Sequence, residues 1–354
     1  MAGKSAVWRY TARADRRGVE ALIVGLVLGL GLVVGDCTGP PLTTPVTSAQ
    51  PTVTSTLPRG LIAFVGPDRQ VWLMKPDGQH KERLTAEGEA FAPAWSPDGQ
   101  TLAYIYAERK NGLRQAVLYE LSSQSRHTIG ISDKRLRRLS WSPNGRYLIL
   151  DSGSSIVSHL ALVEVATDQV IHELDAVGWA WSPDSQRLAL GQIRPLETPI
   201  SVEPTDSVSL AMLEINQQEV HVVFEGTSCV LYFPHSWLPD GRLLYDRLDW
   251  DENVQAGEYS RWTLILNERV SDPQPARNIP LAFDQQAILA RLPVEFQDNT
   301  STHSFSWSAD GRWVVFQAGG WPEWGIYLFD WEEGGQPRRL ADGTSPIWQP
   351  VLSQ

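Results

Sequence analysis

A short pattern that begins with tryptophan recurs along the chain and limits the possible folds more than any other feature. Its five full copies are WSPDGQTLAY from Trp95, WSPNGRYLIL from Trp141, WSPDSQRLAL from Trp181, WLPDGRLLY from Trp237 and WSADGRWVVF from Trp307. The intervals between them are 46, 40, 56 and 70 residues, and a further 41 residues lead to Trp348 in a related Pro-Ile-Trp-Gln-Pro segment. A period of about 40–45 residues with insertions indicates one supersecondary unit that is repeated around a common core.

The residues after each tryptophan favour a tight turn. Serine, proline and glycine at the first, second and fourth positions are the preferences of a type I turn, because proline presets φ and glycine accepts the left-handed geometry. Alternating apolar residues follow the turn and indicate a strand. Each copy therefore predicts a first strand that ends at the tryptophan and a second strand after the turn. Residues 115–121 and 325–331 have the composition of third strands, and residues 336–340 that of a fourth.

The two ends of the repeat region complement each other. The segment around Trp348 has no strand after it, whereas residues 60–65 (GLIAFV) resemble a second strand that lacks its tryptophan motif. Joined, they form one further repeat. The sequence therefore predicts an all-β, six-bladed β-propeller of four-stranded antiparallel blades, closed by strands from both termini and preceded by one N-terminal hydrophobic helix.

The motif W-S-P-D-G-x-x-[LIV]-[AV]-[FY], together with the stretch VWLMKPDG at 71–78, resembles the TolB-like, WD40-like (PD40-type) propeller repeat. The resemblance covers about residues 59–354. It implies a propeller fold and carries little information about function.

Composition agrees with a β fold and excludes some functions. The chain has 15 Trp, 28 Gly and 24 Pro among its 354 residues, as expected for short strands joined by tight turns. Its formal net charge is −11, which disfavours binding to a nucleic-acid backbone. The two cysteines, Cys37 and Cys229, provide neither a metal-site spacing nor a disulfide framework, and we expect no cofactor.

The N-terminus has the features of a membrane address. Residues 1–17 carry five basic residues and one acid, and residues 21–35 are an uncharged apolar run of 15. We expect the basic tail to stay in the cytoplasm and the later residues to be exported. An uncleaved single-pass anchor is favoured, while cleavage by signal peptidase near Gly35-Asp36-Cys37 and lipidation at Cys37 stay open.

These features predict four segments. They are a basic cytoplasmic tail (1–17), a transmembrane anchor or signal segment (18–36), a Thr/Pro-rich linker (37–58) and a propeller (59–354). The propeller would stand on the extracytoplasmic side of the cell membrane, or be secreted or periplasmic if the segment at 18–36 is cleaved.

Two short motifs are candidates for a functional site. Asp151-Ser152-Gly153-Ser154 resembles the D-[ST]-G-S loop of aspartic peptidases, but those enzymes need a second copy and none is present. The basic run at 134–138 (KRLRR) is interpreted as a solvated connection between blades, with a contact patch as the alternative. Neither motif predicts catalysis, and no catalytic residue is assigned.

Asp249, Asp251 and Asn253 have the spacing that begins a calcium-binding loop. The EF-hand pattern then fails, because Val254 stands at its sixth position and Ser260 at its twelfth. These residues are a weak candidate for Ca²⁺, and a solvated acidic loop is the preferred interpretation.

Long insertions at 192–207, 246–260 and about 280–304 suggest where a partner would bind. In an antiparallel blade, the connections from second to third strand and from the fourth strand to the next blade share one edge, and the other turns share the opposite edge. If 192–207 and 246–260 join second to third strands and 280–304 joins two blades, all three project from the first edge, which we call the loop-rich face. Its candidate binding residues are Glu197, Glu203, Asp206, Asp249, Trp250, Asp251, Glu252, Tyr259, Trp321 and Trp324.

The sequence thus favours an extracytoplasmic, membrane-tethered scaffold that is not an enzyme. It would bind a protein, peptide or glycan of the cell envelope through the loop-rich face. The alternative is a glycan-acting hydrolase or lyase with paired carboxylates in the central funnel.

Overall fold

The structure is a computed structural model of the 354-residue chain. It describes residues 59–109, 112–154, 157–194, 207–227, 229–238, 240–251, 256–265, 274–275, 285–297, 305–320 and 323–350. The predicted N-terminal hydrophobic helix and the linker lie outside the described residues. No helix among the described residues is long and apolar enough to cross a membrane.

The strands follow one another along nearly the whole described chain. In its first half they are β1 (Ile62–Val65), β2 (Val71–Met74), β3 (Glu82–Arg83), β4 (Glu89–Trp95), β5 (Thr101–Ala107), β6 (Arg114–Glu120), β7 (Arg126–Ser132), β8 (Arg138–Trp141), β9 (Tyr147–Asp151), β10 (Ser158–Glu164), β11 (Gln169–Ala176) and β12 (Trp179–Trp181). In its second half they are β13 (Arg187–Arg194), β14 (Ser207–Glu214), β15 (Glu219–Phe224), β16 (Val230–Trp237), β17 (Arg242–Asp251), β18 (Ala256–Ile265), β19 (Gln274–Pro275), β20 (Ser306–Trp307), β21 (Trp313–Ala318), β22 (Gly325–Asp330), β23 (Arg338–Asp342) and β24 (Thr344–Trp348). Two short helices, α1 (Gln285–Arg291) and α2 (Val294–Gln297), lie between β19 and β20.

The described strands form six four-stranded antiparallel sheets. Sheet 1 has the order β24-β1-β2-β3, and sheets 2 to 6 each contain four consecutive strands, β4–β7, β8–β11, β12–β15, β16–β19 and β20–β23. The first strand of every sheet ends at a motif tryptophan, as the sequence predicted: Trp95, Trp141, Trp181, Trp237, Trp307 and Trp348. The predicted third strands correspond to β6 and β22, and the predicted fourth strand to β23.

Sheet 1 unites two distant parts of the chain. Ile62 of β1 lies opposite Trp348 of β24. The backbone N–H of Gln349 donates to the carbonyl oxygen of Leu61 at 2.8 Å, and the Leu61 N–H donates to the side-chain Oε1 of Gln349 at 2.9 Å. The prediction that one repeat is assembled from both ends of the domain is confirmed.

The turn after each tryptophan has a common hydrogen-bond network. The Ser96 hydroxyl donates to Asp98 Oδ1 at 2.5 Å and accepts from the Thr101 N–H at 2.9 Å. Gly99, with φ of +69°, donates its N–H to the Ser96 carbonyl at 2.8 Å. The same serine-to-acceptor bond recurs between Ser142 and Asn144, Ser182 and Asp184, and Ser308 and Asp310. Because serine satisfies the N–H at the start of the second strand, these turns close the first hairpin of the sheet with few residues.

The cores lie between neighbouring sheets. Both faces of a sheet are apolar along its inner strands, so β1 and β9 are buried at every residue. The shared cores contain, for example, Leu73 with Tyr104 (sheets 1 and 2), Ile105 with Leu148 (2 and 3), Ile149 with Leu190 (3 and 4), Met212 with Tyr245 (4 and 5) and Val315 with Ile62 (6 and 1).

The two helices lie beside sheet 6, at the one pair of neighbouring sheets, 5 and 6, for which no shared core is given above. Ile288 of α1 and Leu292, which directly follows α1, pack against Phe316 and Phe329, on the face of sheet 6 that is turned away from sheet 1. Among the described residues, sheets 5 and 6 have no shared core of their own. The segment at about 280–304 connects two sheets, as the sequence predicted, and its described part contains two helices and contributes Ile288 and Leu292 to the core.

The predicted insertion at 246–260 was wrong in its form. Ten residues of β17 pair with ten residues of β18, from Arg242 opposite Ile265 to Asp251 opposite Ala256. The polar residues that suggested a loop therefore lie largely within two paired strands, and only 252–255 connect these strands.

Candidate binding face

Two edges of the sheets differ in the length of their connections. Between first and second strands the described turns are short, as in 96–100, 142–146 and 308–312. The two longest connections between described strands are 195–206 and 276–305, and both leave from the opposite edge. This edge is the predicted loop-rich face.

Most of the predicted loop residues lie outside the described part of the chain. They are Glu197, Glu203, Asp206, Glu252, Asn253 and Trp321. Asp249, Trp250 and Asp251 lie in β17 and Tyr259 lies in β18, so the interpretation of these four as loop residues was wrong. Trp324 is half-buried in the connection before β22, and its carbonyl oxygen accepts a hydrogen bond from the Gly343 N–H at 3.0 Å.

Asp249 is engaged with a neighbouring arginine. The Arg247 guanidinium donates from Nη2 and Nε to Asp249 Oδ1, at 2.6 and 3.0 Å. Burial opposes the charge of Arg247, but the hydrogen bonds that it donates to Asp249, together with the charge of that carboxylate and the nearby tyrosines, raise the arginine pKa. A carboxylate that is paired with an arginine in this way is a poor ligand for Ca²⁺. Within the described ranges no group of three or more His, Cys, Asp or Glu side chains could hold a metal, and Asn253 lies outside them.

A second cluster on the same edge combines two motifs that the sequence presented separately. The carboxylate of Asp151, at the end of β9, is completely buried. Its Oδ2 lies 3.0 Å from Nη2 of Arg137 and 3.5 Å from Nε of Arg138, at the start of β8. The interpretation of 134–138 as a solvated connection is therefore incomplete, because Arg137 and Arg138 are partly exposed and also pair with a buried carboxylate.

Sequence reasoning missed this cluster because it depends on strand register. Arg138 and Asp151 are 13 positions apart, and they become partners only when β8 pairs with β9. A hairpin alignment of the two strands around the turn at 142–146 is the signal that would have found them.

Comparison with known proteins supports the fold. A model of the eukaryotic translation initiation factor eIF2A family matches residues 64–195. Among solved structures, tricorn protease superposes with a TM-score of 0.56 at 13% identity, covering 82% of this chain and 34% of that chain. The chain has a β-propeller fold, and its tryptophan repeats resemble the TolB-like, WD40-like type.

Other solved propellers align over a similar length. TolB from Acinetobacter baumannii has 16% identity and a TM-score of 0.44, covering 82% of this propeller chain and 66% of that chain. The propeller domain of Cps50 (Swd1) from Myceliophteria thermophila has 15% identity and a TM-score of 0.46, covering 75% and 92%. A comparison with curated protein sequences gives no match.

Proposed function

We propose that the six sheets are the six blades of one closed ring. The shared cores that join sheet 6 to sheet 1 and each of sheets 1 to 4 to the next support this arrangement. The helical insertion α1–α2 would complete the contact between the fifth and sixth blades.

Within this ring, the chain would act as a binding scaffold and not as an enzyme. The observation that carries this proposal is the difference between the two edges of the sheets. Rigid hairpins with short turns form one edge, and the two longest connections leave the other. Long connections held by a rigid scaffold are the usual location of binding residues. The partner would be a protein, peptide or glycan of the cell envelope.

The scaffold would be held at the membrane by its N-terminal segment. The basic tail at 1–17 and the apolar run within 18–36 support an anchor with the propeller on the extracytoplasmic side. The uncharged Thr/Pro-rich linker at 37–58 would hold the ring away from the bilayer. Cleavage of the segment would instead release the same propeller in soluble form.

Site-specific photo-crosslinking tests the binding face. A photoreactive amino acid would replace Trp324 or Glu203 on the loop-rich face, or Gln100 or Arg146 on the turns of the opposite edge. In membranes that contain the full chain, we expect discrete crosslinked products from the first two positions only. Products from Gln100 and Arg146 alone would contradict the proposal.

A further inference from the structure

The buried carboxylate of Asp151 is surrounded by more positive charge than it can neutralise. Two guanidinium groups, of Arg137 and Arg138, approach the same oxygen, Oδ2. The other oxygen, Oδ1, accepts a hydrogen bond from the Gly153 N–H at 3.1 Å. The group therefore has one charge of −1 and two of +1, and one positive charge has no counterpart within it.

Several polar atoms of this cluster lack a hydrogen-bond partner among the described residues. They are Nε of Arg137, Oδ2 of Asp151 and the hydroxyl of Ser152, all buried. The Ser152 side chain is only 1% exposed. Both guanidinium groups lie near Oδ2, at 3.0 and 3.5 Å. Buried polar atoms are normally satisfied, so three unsatisfied ones at a single place mark an incomplete site.

Arg137 is fixed from its other side. Its Nη2 donates to the hydroxyl of Ser158 at 3.1 Å, and its backbone N–H donates to the Asp151 carbonyl at 2.9 Å. Its side chain is 33% exposed, so part of the guanidinium still reaches solvent. Contacts within sheet 3 therefore fix the position of Arg137.

The surplus positive charge of the cluster is assigned to Arg138. Its guanidinium carbon lies 4.0 Å from the ring centre of Trp179, the first residue of β12 in sheet 4. The indole and the adjacent strand displace water, and this desolvation, together with Arg137, lowers the pKa of Arg138 despite the nearby Asp151. The side chain is still 55% exposed, and its Nη groups make no hydrogen bond within the described part of the chain. Among the described residues, none forms a hydrogen bond with the edge of the guanidinium that carries both Nη groups.

We propose that Arg137 and Arg138 form a receptor for a single carboxylate, presented by the partner that binds the loop-rich face. The proposal deepens the binding function proposed above and rests on it for the identity of the partner. The carboxylate would accept two parallel hydrogen bonds from this edge of Arg138 and balance the surplus charge. Bidentate recognition of this kind is the geometry for which arginine is suited.

The charge balance favours a carboxylate over a phosphate. One monoanion neutralises the surplus of one positive charge, whereas a phosphate dianion would leave one negative charge in excess. The chain as a whole carries −11, and its field opposes a second negative charge more than the first. The Trp179 ring, 4.0 Å from the guanidinium carbon, also limits the directions from which a carboxylate can approach Arg138.

Titration of the full chain with small molecules tests the receptor. The probe is N-acetylglycine, the neutral control is N-acetylglycinamide, and the competing anion is inorganic phosphate, all at constant ionic strength because screening alters exposed charges. The readout is the NMR signal of the Trp179 indole N–H, assigned with Trp179→Phe. We expect a saturable shift with N-acetylglycine and none with the amide.

Two charge-matched variants separate recognition from general attraction. Arg138→Gln should weaken N-acetylglycine binding about tenfold, the loss expected for one charge-assisted contact of about 1.4 kcal/mol. Arg135→Gln removes the same charge three residues away, from a side chain that is 71% exposed and lies 3.6 Å from Asp133, and should leave binding within about twofold. Equal losses in the two variants would overturn the proposal, as would an equal response to the amide. Tighter binding of phosphate than of N-acetylglycine would overturn the assignment to a carboxylate.

If Arg138→Gln fails to fold, two other measurements still test the proposal. Arg138→Lys keeps the charge but lacks the planar fork, and the acid-to-amide comparison can be made on the unaltered chain. The two proposals also fail separately. Loss of partner crosslinking with intact N-acetylglycine binding would contradict only the scaffold function, and the reverse result would contradict only the carboxylate receptor.

Discussion

The indole Nε1 of Trp141 donates a hydrogen bond of 3.0 Å to the carbonyl oxygen of Ala94, the residue before Trp95 in the neighbouring sheet. Trp237 repeats this bond with Ala180, the residue before Trp181, at 3.1 Å. By contrast, the buried Nε1 atoms of Trp95, Trp181 and Trp307 have no partner among the described residues. Equivalent tryptophans of the repeat therefore differ in whether they connect neighbouring sheets by a hydrogen bond.

This difference predicts unequal effects of the same substitution. Trp141→Phe should destabilise the domain more than Trp181→Phe by about 1 kcal/mol, the net value of one hydrogen bond, because only the first loses a partner. Both side chains are half-buried, and both changes remove a similar apolar area. The measurement is the free energy of unfolding from urea titration. Equal losses would show that the bond to Ala94 contributes nothing.

A second prediction concerns Ser185, which occupies the turn position held by glycine in the other full copies. Its φ is +60°, and its hydroxyl accepts a hydrogen bond of 3.0 Å from the Asn144 N–H in the neighbouring sheet. Ser185→Ala keeps the strained backbone and loses the bond, whereas Ser185→Gly loses the bond but relieves the strain. We expect the glycine variant to be more stable than the alanine variant by about 1 kcal/mol. Thermal unfolding of both variants measures the order, and a more stable alanine variant would contradict it.

The helical insertion should contribute to the stability of the whole domain. Ile288 of α1 is 1% exposed within the core of sheet 6, whereas Val294 of α2 is 75% exposed. Ile288→Ala should cost about 2–4 kcal/mol through the lost apolar contact and the cavity, and Val294→Ala less than about 0.5 kcal/mol. Denaturant unfolding followed by tryptophan fluorescence compares the two. If both variants matched the unaltered chain, the insertion would be an appendage without a structural role.

Stability at alkaline pH should depend on Tyr245. Burial raises the pKa of its hydroxyl above the usual value, the nearby Tyr232 adds to the rise, and Arg247 opposes it. An unfolded tyrosine ionises near pH 10, so the folded state holds the proton more tightly from there upwards. This contribution is complete below about pH 10 and declines as the pH rises towards the folded pKa, by up to about 1.4 kcal/mol per pH unit.

Comparison with Tyr245→Phe isolates that contribution. Between pH 9 and 11, the free energy of unfolding should fall more steeply for the unaltered chain than for the phenylalanine variant. The difference is measured by urea titration at each pH. Parallel curves would mean that Tyr245 ionises alike in the folded and unfolded states.

The sequence predicted those parts of the fold that depend on local chemistry. The serine, proline and glycine after each tryptophan specify the turn within a few residues, and the alternating apolar residues specify the strands on either side. This local information located the ends of β4 and β8, and the incomplete repeats at 60–65 and 346–350 suggested how β1 and β24 pair. Of these predictions, only the pairing of β1 with β24 concerns residues that are far apart in the sequence.

The parts that failed depend on contacts between residues far apart. At 246–260 the acidic residues had the composition of a loop, and only cross-strand pairing with β18 makes Asp249 and Asp251 part of a hairpin. The helix α1 is stabilised by Phe316 and Phe329, which follow its end at Arg291 by 25 and 38 residues. Arg138 and Asp151 were judged separately for the same reason, since their meeting depends on the register of β8 and β9.

The construction of sheet 1 also fixes an order of events for a chain made from its N-terminus. The strands β1, β2 and β3 leave the ribosome first, but the strand that covers the open edge of β1 follows about 280 residues later. Until β24 is made, one edge of β1 is unpaired, and its apolar residues, all buried in the folded chain, can contact other chains. Chaperone contact during synthesis is therefore expected to concentrate at Ile62–Val65, and a chain stalled before Thr344 should show rapid amide exchange along that strand.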